Sequence, residues 1–371
     1  MPLATRGAVK GLQSEEVEAL GYELILANTF HLLLAPGPEL VERFSGLHEL
    51  MRWPRSIVTD SGGFQVFSMG HGTVADEIKG RGRRAGGGAL LAIDEQGVRF
   101  RSYVDGRERS LTPEGSMAVQ AALHSDIALV FDECTPYQAS REYTERSTER
   151  THRWLERCLG WHSEHGPPDQ AVYGIVQGGV HEDLRRDSAQ TVAASACRGI
   201  AIGGSLGAEK AQMYEVVGWA TAELAKHAPE RPRHLLGIGD VDDLIEGVRR
   251  GIDSFDCAIP TRLGRHGVAL VPDHGNRFRL DLVKGRFSQA PEPVLEGCPC
   301  PACSAGYSRA YLHYLLRAGE LTGLRLITQH NLRFIAALMA DLRGAIAAGR
   351  LDQVADALGA GAAPGTVAAA D

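Results

Sequence analysis

The 371-residue sequence predicts an α/β fold, a TIM-type (β/α)8 barrel that carries an inserted zinc-binding subdomain. Short apolar runs ending in Asp, Gly, Gln or Asn alternate with longer segments of helical period, which is typical of repeated βα units and a parallel sheet. Three cysteines clustered late in the chain indicate a metal-stabilised insertion. Because periodicity alone does not establish closure of a sheet, an open Rossmann-like sheet is the alternative.

Seven segments have the length and apolar character of buried strands, and the spacing leaves room for an eighth. The predicted strands are Tyr22–Ala27, Ser56–Asp60, Asp126–Asp132, Ala171–Gln177, Ile200–Gly204, His234–Gly239 and Ile252–Cys257. Helical periodicity lies between them, at Ser116–His124, Glu145–His162, Lys210–His227 and Asp240–Arg250. This number of units favours the barrel over the open sheet.

Three segments interrupt the alternation. Gly80–Gly88 (GRGRRAGGG) is too rich in glycine and arginine to pack, so we expect a flexible loop within an insertion, before short strands around Ala92–Tyr103. We divide the chain into a barrel (1–286), a zinc-binding subdomain with its closing helix (287–345) and a C-terminal segment (346–371). The tail from Leu358 is small and featureless, and is expected to fray.

Composition excludes several classes of protein. Apolar residues make up 44% of the chain and charged residues 23%, as in an ordinary globular protein. No apolar run is long enough to span a membrane and the start lacks a signal peptide, so we expect a cytoplasmic protein whose seven cysteines are reduced. The net charge of -7 argues against indiscriminate binding to nucleic acid, so any contact with RNA must be local.

The clustered cysteines predict a metal site. Cys298, Cys300 and Cys303 stand as CPCPAC, which sets three thiolates within one turn and leaves a tetrahedral ion one ligand short. We expect His330 to complete the site from the start of a helical segment, Leu332–Ile346, with His313 as the competing ligand. Buried cysteines without a metal are the alternative. A closed site with four protein ligands would fold the insertion and take no part in chemistry.

Polar residues at predicted strand ends indicate the active site, because a parallel barrel presents its catalytic groups at the carboxyl ends of its strands. These residues are Asp60, Asp132, Cys134, Gln177, Gly203, Gly204 and Asp256. Each aspartate taken singly is explained equally well as a helix cap. Together they describe a pocket of carboxylate, amide and free N–H groups that suits a purine-like base, with Phe64 available for stacking.

Two of these carboxylates can divide the work of a retaining glycosyl transfer, in which one attacks the anomeric carbon and the other moves protons. Beyond Asp256, the segment PTRLGR places Arg262 and Arg265 where a phosphodiester backbone would need them. A solvated loop is the ordinary explanation for two such arginines.

Six motifs in a fixed order carry a resemblance to a known family. They are NTFHLLLAPG (Asn28–Gly37), DSGGFQVFS (Asp60–Ser68), FDECTP (Phe131–Pro136), IVQGG (Ile175–Gly179), GIDSFDCAIPTRLGRHG (Gly251–Gly267), and CPCPACS with QHNL. By these motifs the chain resembles the queuine tRNA-ribosyltransferases, also called tRNA-guanine transglycosylases, over nearly its whole length. The resemblance implies an irregular barrel with a late zinc subdomain, and exchange of the wobble guanine of certain tRNAs for a 7-deazaguanine without a nucleotide cofactor.

The resemblance also implies roles for individual residues. Asp256 would be the nucleophile that holds the RNA as a covalent ester, and Asp60 the general acid/base. The base would be bound by Ser61, Gly62, Gly63, Phe64, Asp132, Cys134, Gln177, Gly203 and Gly204. The anticodon would be held by two loops, Gly237, Ile238, Gly239, Asp240, Val241, Asp242 and Asp243, and Thr261, Arg262, Leu263, Gly264 and Arg265.

Three departures from the family pattern bear on these expectations. The family begins with a hairpin ahead of the segment that matches MPLATRGAVKGL, so we expect either a misassigned start or a barrel end closed in another way. Where bacterial members read GGLAVGE this chain reads GGSLGAE, with Ser205 and Gly207 beside the base's side arm, so aminomethyl-deazaguanine and queuine both remain candidate substrates. The insertion around Gly80–Gly88 is longer than usual and has no functional explanation.

Two other functions remain as alternatives. A non-catalytic RNA-binding subunit of the same fold would be expected to lose the nucleophile, whereas this chain keeps both Asp60 and Asp256. A relative acting on the tRNA D-loop or on DNA would carry additional RNA-binding domains or different spacing. The resemblance further implies a homodimer, with the zinc region near the contact.

Overall fold

Eight parallel strands form the central sheet of the computed structural model, which describes residues 1–70 and 90–367. In spatial order the strands are β1 (Leu3–Ala4), β2 (Leu24–Ala27), β3 (Ser56–Thr59), β7 (Ile127–Leu129), β8 (Ala171–Val176), β9 (Gly199–Ile202), β10 (Arg233–Leu235) and β11 (Ser254–Phe255). A parallel bridge between Pro2 and Cys257 joins the first strand to the last, and the Cys257 N–H donates to the Met1 carbonyl at 3.2 Å. The sheet therefore curls round on itself, which confirms the predicted fold class.

All seven predicted strands are present, and each is shorter than predicted. The polar residues that end them, such as Asp60 and Gln177, lie just past the last paired residue. The eighth strand is β1, in the segment MPLATRG, where Leu3 and Ala4 pair with Leu26 and Ala27. The sequence pattern did not predict β1, because only two of its residues are paired and two residues are too few to show a periodicity.

Helices follow most of the strands and cover the sheet. They are Ser14–Ala19, Thr29–Leu34, Pro38–Arg43, Leu47–Met51, Gly63–Gly70, Pro113–Ala122, Arg141–His165, Glu182–Ala194, Lys210–His227, Val241–Arg249 and Ile259–Arg265. Their apolar faces meet the sheet in two cores, a large one that includes Trp154, Phe131 and Ile200 and a smaller one under the N-terminal helices that includes Val17 and Trp53. No helix in the described part of the chain is both long and apolar enough to cross a membrane.

An antiparallel sheet of three strands follows β3 and its helix. Its strands are β4 (Leu90–Ile93), β5 (Val98–Arg101) and β6 (Glu108–Leu111), which agrees with the short strands expected around Ala92–Tyr103. The expected loop Gly80–Gly88 lies outside the described residues.

The predicted metal region packs around a core of its own. It contains the strand pair β12 (Val268–Leu270) and β13 (Arg279–Asp281) and the helices Pro301–Ser304, Arg309–Ala318 and Leu321–Ala347. Its core begins at Ala269, ahead of the predicted boundary at residue 287. The long helix starts at Leu321, not at Leu332 as predicted, because Leu326 and Ile327 pack in this core while Phe334 and Leu338 pack in the barrel's.

The C-terminal segment is more ordered than the sequence suggests. A helix, Leu351–Gly359, buries Val354 and Leu358 against the main core. Further on, the Gly365 N–H donates to the Asp341 carboxylate at 2.6 Å. Leu358, where fraying was expected to begin, is thus a core residue, and fraying of the tail beyond it stays a prediction.

Candidate active site

Asp60 lies directly after β3 in a ring of neutral donors. Its Oδ1 accepts from the Thr29 N–H at 2.9 Å, and its Oδ2 accepts from Nε2 of Gln65 at 3.1 Å and from Nδ2 of Asn28. Burial raises the pKa of Asp60 to about 7; the Thr29 N–H opposes this rise, and the negative charge of Asp256 adds to it. The carboxyl can therefore exist in both protonation states near neutral pH.

Asp256 follows β11 and is 7% exposed. Its Oδ1 accepts from the Gly237 N–H at 2.9 Å and is hydrogen-bonded to Nε2 of His234 at 3.1 Å. Burial alone would raise the pKa of Asp256, but the hydrogen bond and charge of His234 and the Gly237 N–H outweigh it, so the pKa lies below its ordinary value. This carboxylate is held in its ionised form.

The two aspartates lie close enough for the charge of Asp256 to raise the pKa of Asp60. They differ in their surroundings, because Asp60 receives only amide donors while Asp256 faces an imidazole. Folding thus brings two aspartates that are distant in sequence to one face of the barrel. The pKa of Asp60 is raised and that of Asp256 is lowered.

A second buried carboxylate, Asp132, lies past the end of β7. Its Oδ1 accepts from the Ser61 hydroxyl at 3.2 Å and its Oδ2 from Nε2 of Gln177 at 2.6 Å. Burial raises the pKa of Asp132 to about 6, with the Gln177 and Ser61 hydrogen bonds opposing the rise. The Oε1 atom of Gln177 is buried without a hydrogen-bond partner among the described residues, which leaves an acceptor free for a ligand. Burial also raises the pKa of Cys134 to about 12, so this thiol stays neutral.

Glycines bring the backbone close to these side chains. A Cβ on Gly63 would lie 2.8 Å from the Asp132 carbonyl, and Gly62 has a φ of +81°. Gly204 has a φ of +78°, and a Cβ there would collide with Oε1 of Gln177. Phe64, after the first glycine pair, is 44% exposed and available for stacking.

The Gly203–Ser205 backbone is fixed by a residue that sequence reasoning missed. Arg185, which is fully buried, donates to the carbonyls of Gly203 at 2.8 Å and Ser205 at 3.0 Å, and also to those of Val176 and Gly179. Because the C=O and N–H of a trans peptide point in opposite directions, the bond to the Gly203 carbonyl turns the Gly204 N–H away from Arg185. Its proximity to the Cys134 sulfur lowers the pKa of that thiol and so opposes part of the rise caused by burial.

The two segments predicted to hold the anticodon differ in character. Gly237–Asp240 is an open loop, but Val241 and Asp243 belong to the following helix and are buried, with Asp243 paired to Lys210 at 2.8 Å. The second segment is not a loop, as predicted, but most of the helix Ile259–Arg265. Within it Thr261 and Gly264 are packed, Leu263 is partly buried, and Arg262 is exposed.

The predicted metal ligands converge. The sulfur atoms of Cys298, Cys300 and Cys303 lie 3.7, 3.4 and 3.5 Å from Nδ1 of His330, and all four ligand atoms lie within 4.8 Å of one another. Nε2 of His330 is hydrogen-bonded to the Leu270 carbonyl at 2.7 Å, which leaves Nδ1 free for the ion.

The competing ligand, His313, lies elsewhere, with its Nδ1 hydrogen-bonded to the Leu282 carbonyl at 2.8 Å. Three thiolates and one imidazole form a donor set that can hold a metal ion, and the geometry selects His330 as the fourth ligand.

Four further residues of the site were not identified from the sequence. They are Asn28, Thr29 and Gln65 around Asp60, and His234 beside Asp256. Asn28 directly follows the predicted strand Tyr22–Ala27, so the strand-end rule applied to every strand would have found it. His234 carried a weaker signal, an imidazole at the start of the predicted strand His234–Gly239 and next to Arg233.

Comparisons with known proteins agree with this arrangement. The family model described as "Queuine tRNA-ribosyltransferase" matches residues 1–361. A queuine tRNA-ribosyltransferase of Roseiflexus sp. (strain RS-1) is 49% identical over 360 residues, 94% of this chain and 89% of the relative. Proteins of the same name from Herpetosiphon aurantiacus and Thermus thermophilus are 44% and 45% identical over 96% and 94% of this chain, and 84% of each relative. The chain therefore belongs to the queuine tRNA-ribosyltransferase family and is an enzyme of the pentosyltransferase class.

Proposed function

We propose that the protein exchanges the wobble guanine of tRNA for a 7-deazaguanine through a covalent ribosyl-aspartate. The observation that carries this proposal is the opposite protonation preference of two neighbouring aspartates, since one ionised nucleophile and one group that titrates near neutral pH are what a double displacement needs. Family membership supports the same substrate class.

In the first displacement Asp256 attacks the ribose. His234 and Gly237 hold its Oδ1, and no donor among the described residues reaches Oδ2, so that oxygen keeps its electron pair for C1′. As the new C1′–O bond forms, the C1′–N9 bond breaks and its electron pair leaves with guanine. Asp60, in its protonated form, gives a proton to the departing base.

In the second displacement Asp60 takes the proton from N9 of the incoming base, whose nitrogen then attacks C1′ and breaks the ester. The proton count balances over the cycle, because Asp60 returns to its protonated form. Two inversions at C1′ retain the sugar configuration.

The pocket around Asp132 would bind the base. Its carboxylate can accept from the N1–H and amino group of guanine, while the Gly204 N–H can donate to a ring carbonyl. The Gly203 N–H is bonded to the Val176 carbonyl at 3.1 Å, so Gly203 would contact the base edge only through its backbone atoms. Phe64 would stack on the base, with Ser61, Gly62, Gly63 and Gln177 shaping the walls and Cys134 lining them.

The exposed parts of two segments would contact the anticodon. These parts are Gly237, Ile238 and Asp240 of the first loop, in which Gly239 is buried, together with the exposed guanidinium group of Arg262 and the partly buried one of Arg265. Nη1 of Arg265 is buried and has no hydrogen-bond partner among the described residues, so it could donate to a phosphate oxygen of bound RNA. Val241, Asp242 and Asp243 would act by supporting the loop.

The decisive experiment compares Asp256→Asn with the wild type. We expect the variant to bind tRNA but to exchange no labelled guanine, and to form no protein–RNA adduct that survives denaturation. Asp253→Asn is the matched control, because Asp253 precedes the same strand and accepts from the Arg233 N–H at the opposite end. Normal exchange by Asp256→Asn would refute the mechanism, and tRNA binding by a wild type that exchanges nothing would favour the non-catalytic subunit.

The natural base can be identified with the same enzyme. Unmodified tRNA incubated separately with aminomethyl-deazaguanine and with queuine, followed by nucleoside mass spectrometry, reports which one is incorporated. Ser205 and Gly207 are the positions at which we expect the choice to be made.

We further propose zinc as the resident ion, because three thiolates and one imidazole in a closed set suit zinc above the hard cations. The ion would fasten the turn at Cys298–Cys303 to the long helix through His330, and no step of the exchange passes through it. We also propose a cytoplasmic homodimer, on the family resemblance alone, which light scattering would test.

A further inference from the structure

Beside the Asp60 loop lies a small surface of aromatic and cationic side chains, which we call the Tyr103 patch: Arg6, Lys10, His31 and Tyr103. The Tyr103 ring is 45% exposed, and its hydroxyl accepts from Nη2 of Arg6 at 3.3 Å and is hydrogen-bonded to Nδ1 of His31 at 2.8 Å. The Arg6 guanidinium carbon lies 5.9 Å from the centre of the ring. Arg6, His31 and Tyr103 therefore form a connected unit built from parts distant in sequence, and Lys10 lies near enough for its charge to act on His31.

The patch lies on the catalytic face of the barrel. Arg6 follows β1, His31 follows β2, and Tyr103 lies in the turn between β5 and β6 of the insertion after β3. The three residues thus come from consecutive connections at the carboxyl ends of the strands. The His31 N–H donates at 3.0 Å to Oδ1 of Asn28, whose amide donates to Asp60.

The Tyr103 ring is rigidly supported. Its centre lies 6.1 Å from that of Phe30, which is fully buried and packs in turn on Phe100 at 5.2 Å. An exposed ring backed by core aromatics loses little side-chain entropy on binding, which suits stacking on a nucleobase.

The cations of the patch have no acidic partners in the part of the chain that the structure describes. Among residues 1–70 and 90–367 no carboxylate pairs with Arg6 or Lys10, whereas Arg99 pairs with Glu108 and Arg109 with Asp105 in the adjacent sheet. Burial and the charges of Arg6 and Lys10 lower the pKa of His31, so the positive charge resides on those two side chains. In a chain of net charge -7, such an unneutralised pair beside the active site marks a binding site for an anion.

We propose that the Tyr103 patch binds the nucleotide next to the one whose base is exchanged, with Tyr103 stacking on its base and Arg6 and Lys10 holding its phosphate. The inference rests on the proposed function for the identity of the substrate. It adds a third RNA contact, supplied by the insertion and by the loop after β1, to the two segments near Asp256.

The test uses equilibrium binding of a fluorescent tRNA anticodon stem–loop together with steady-state exchange. Tyr103→Ala should weaken stem–loop binding and raise the KM for tRNA by about tenfold, since base–aromatic stacking is worth that much. The KM for free guanine should not change, and Tyr103→Phe should restore most of the binding. A structural role acting through His31 and Asn28 would instead lower kcat and disturb the KM for guanine.

The charge contribution is measured by salt dependence. Arg6→Gln should make the slope of log Kd against log salt shallower by about one unit. Arg198→Gln is the matched control, because Arg198 is exposed but precedes β9 at the opposite end of the barrel. Its salt slope should equal that of the wild type.

The outcomes separate this inference from the proposed function. If the wild type exchanges no guanine but binds the stem–loop in a Tyr103-dependent way, the proposed function fails and the patch stands. If Tyr103→Ala and Arg6→Gln both bind the stem–loop as the wild type does, the patch is refuted, even when exchange is normal.

Discussion

Replacing Gln65 by methionine should shift the pH profile of base exchange to higher pH. Nε2 of Gln65 donates to Oδ2 of Asp60 at 3.1 Å and thereby stabilises the ionised carboxylate. A hydrogen bond to a charged group contributes about 1.5–3 kcal/mol. Because one pKa unit corresponds to about 1.4 kcal/mol, its loss should raise the pKa of Asp60 by roughly one to two units.

The assay is kcat/KM for the incoming base as a function of pH. In the proposed mechanism Asp60 must be ionised to remove the proton from this base, and Asp256 is then an ester whose charge no longer raises the pKa of Asp60. The wild-type rate should therefore rise at or below a pH of about 7, and the Gln65→Met rate at higher pH than the wild-type rate. Gln190→Met is the control, since Gln190 donates to the carboxylate of Glu223 on the outer helices. If the rising part of the pH–rate profile of Gln65→Met stays at the wild-type pH, or moves to lower pH, Asp60 is not the group that titrates.

Three further variants test the supports of the site. Arg185→Met should lower the free energy of unfolding in denaturant by about 3 kcal/mol or more, because four carbonyls lose a charged donor. Its neighbour Arg186, which pairs with the exposed Glu182 and with the buried Glu223, should cost less when replaced in the same way, because Gln190, Lys226 and His227 still contact Glu223. Gly204→Ala should raise the KM for guanine by about tenfold, since φ is +78° there and a Cβ would displace Gln177; an unchanged KM would contradict this. His330→Ala should lose the bound metal, as measured by elemental mass spectrometry, and melt at lower temperature, while His313→Ala should retain the ion. Metal loss from the His313 variant alone would reverse the assignment of the fourth ligand.

The sequence predicts the catalytic face better than it predicts what tunes that face. Asp60 ends the apolar run SIVT, and Asp256 directly follows the short strand Ser254–Phe255, so barrel geometry places both at the carboxyl ends of strands. The donors to Asp60 come partly from β2, a different strand, and which strand neighbours which is a property of the folded sheet. The titration behaviour of Asp60 therefore requires the structure.

Arg185 shows a second limit of sequence reasoning. It stands in a helix beside Arg186 in a polar stretch, and nothing local distinguishes the two side chains. One is fully buried against loop carbonyls after β8 and β9, and the other forms ion pairs on the surface. Which of the two side chains faces the sheet and which faces solvent depends on how the helix Glu182–Ala194 is rotated about its axis when it packs on the sheet. The metal site is the opposite case, because its three cysteines lie within one turn and only the histidine had to be chosen.

The proposed division of labour between the two aspartates can be traced to the kind of donor each receives. Both are carboxyl groups enclosed by protein, so burial acts on both in the same direction and raises both pKa values. Amides donate to Asp60 without carrying charge, and they offset only part of that rise. Asp256 faces an imidazole that can become positively charged, and the attraction reverses the sign of its shift. The proposed roles of nucleophile and proton carrier therefore follow from these surroundings and not from the carboxyl groups themselves. His234→Gln should accordingly raise the pKa of Asp256 and slow the formation of the covalent adduct, while tRNA binding should not change.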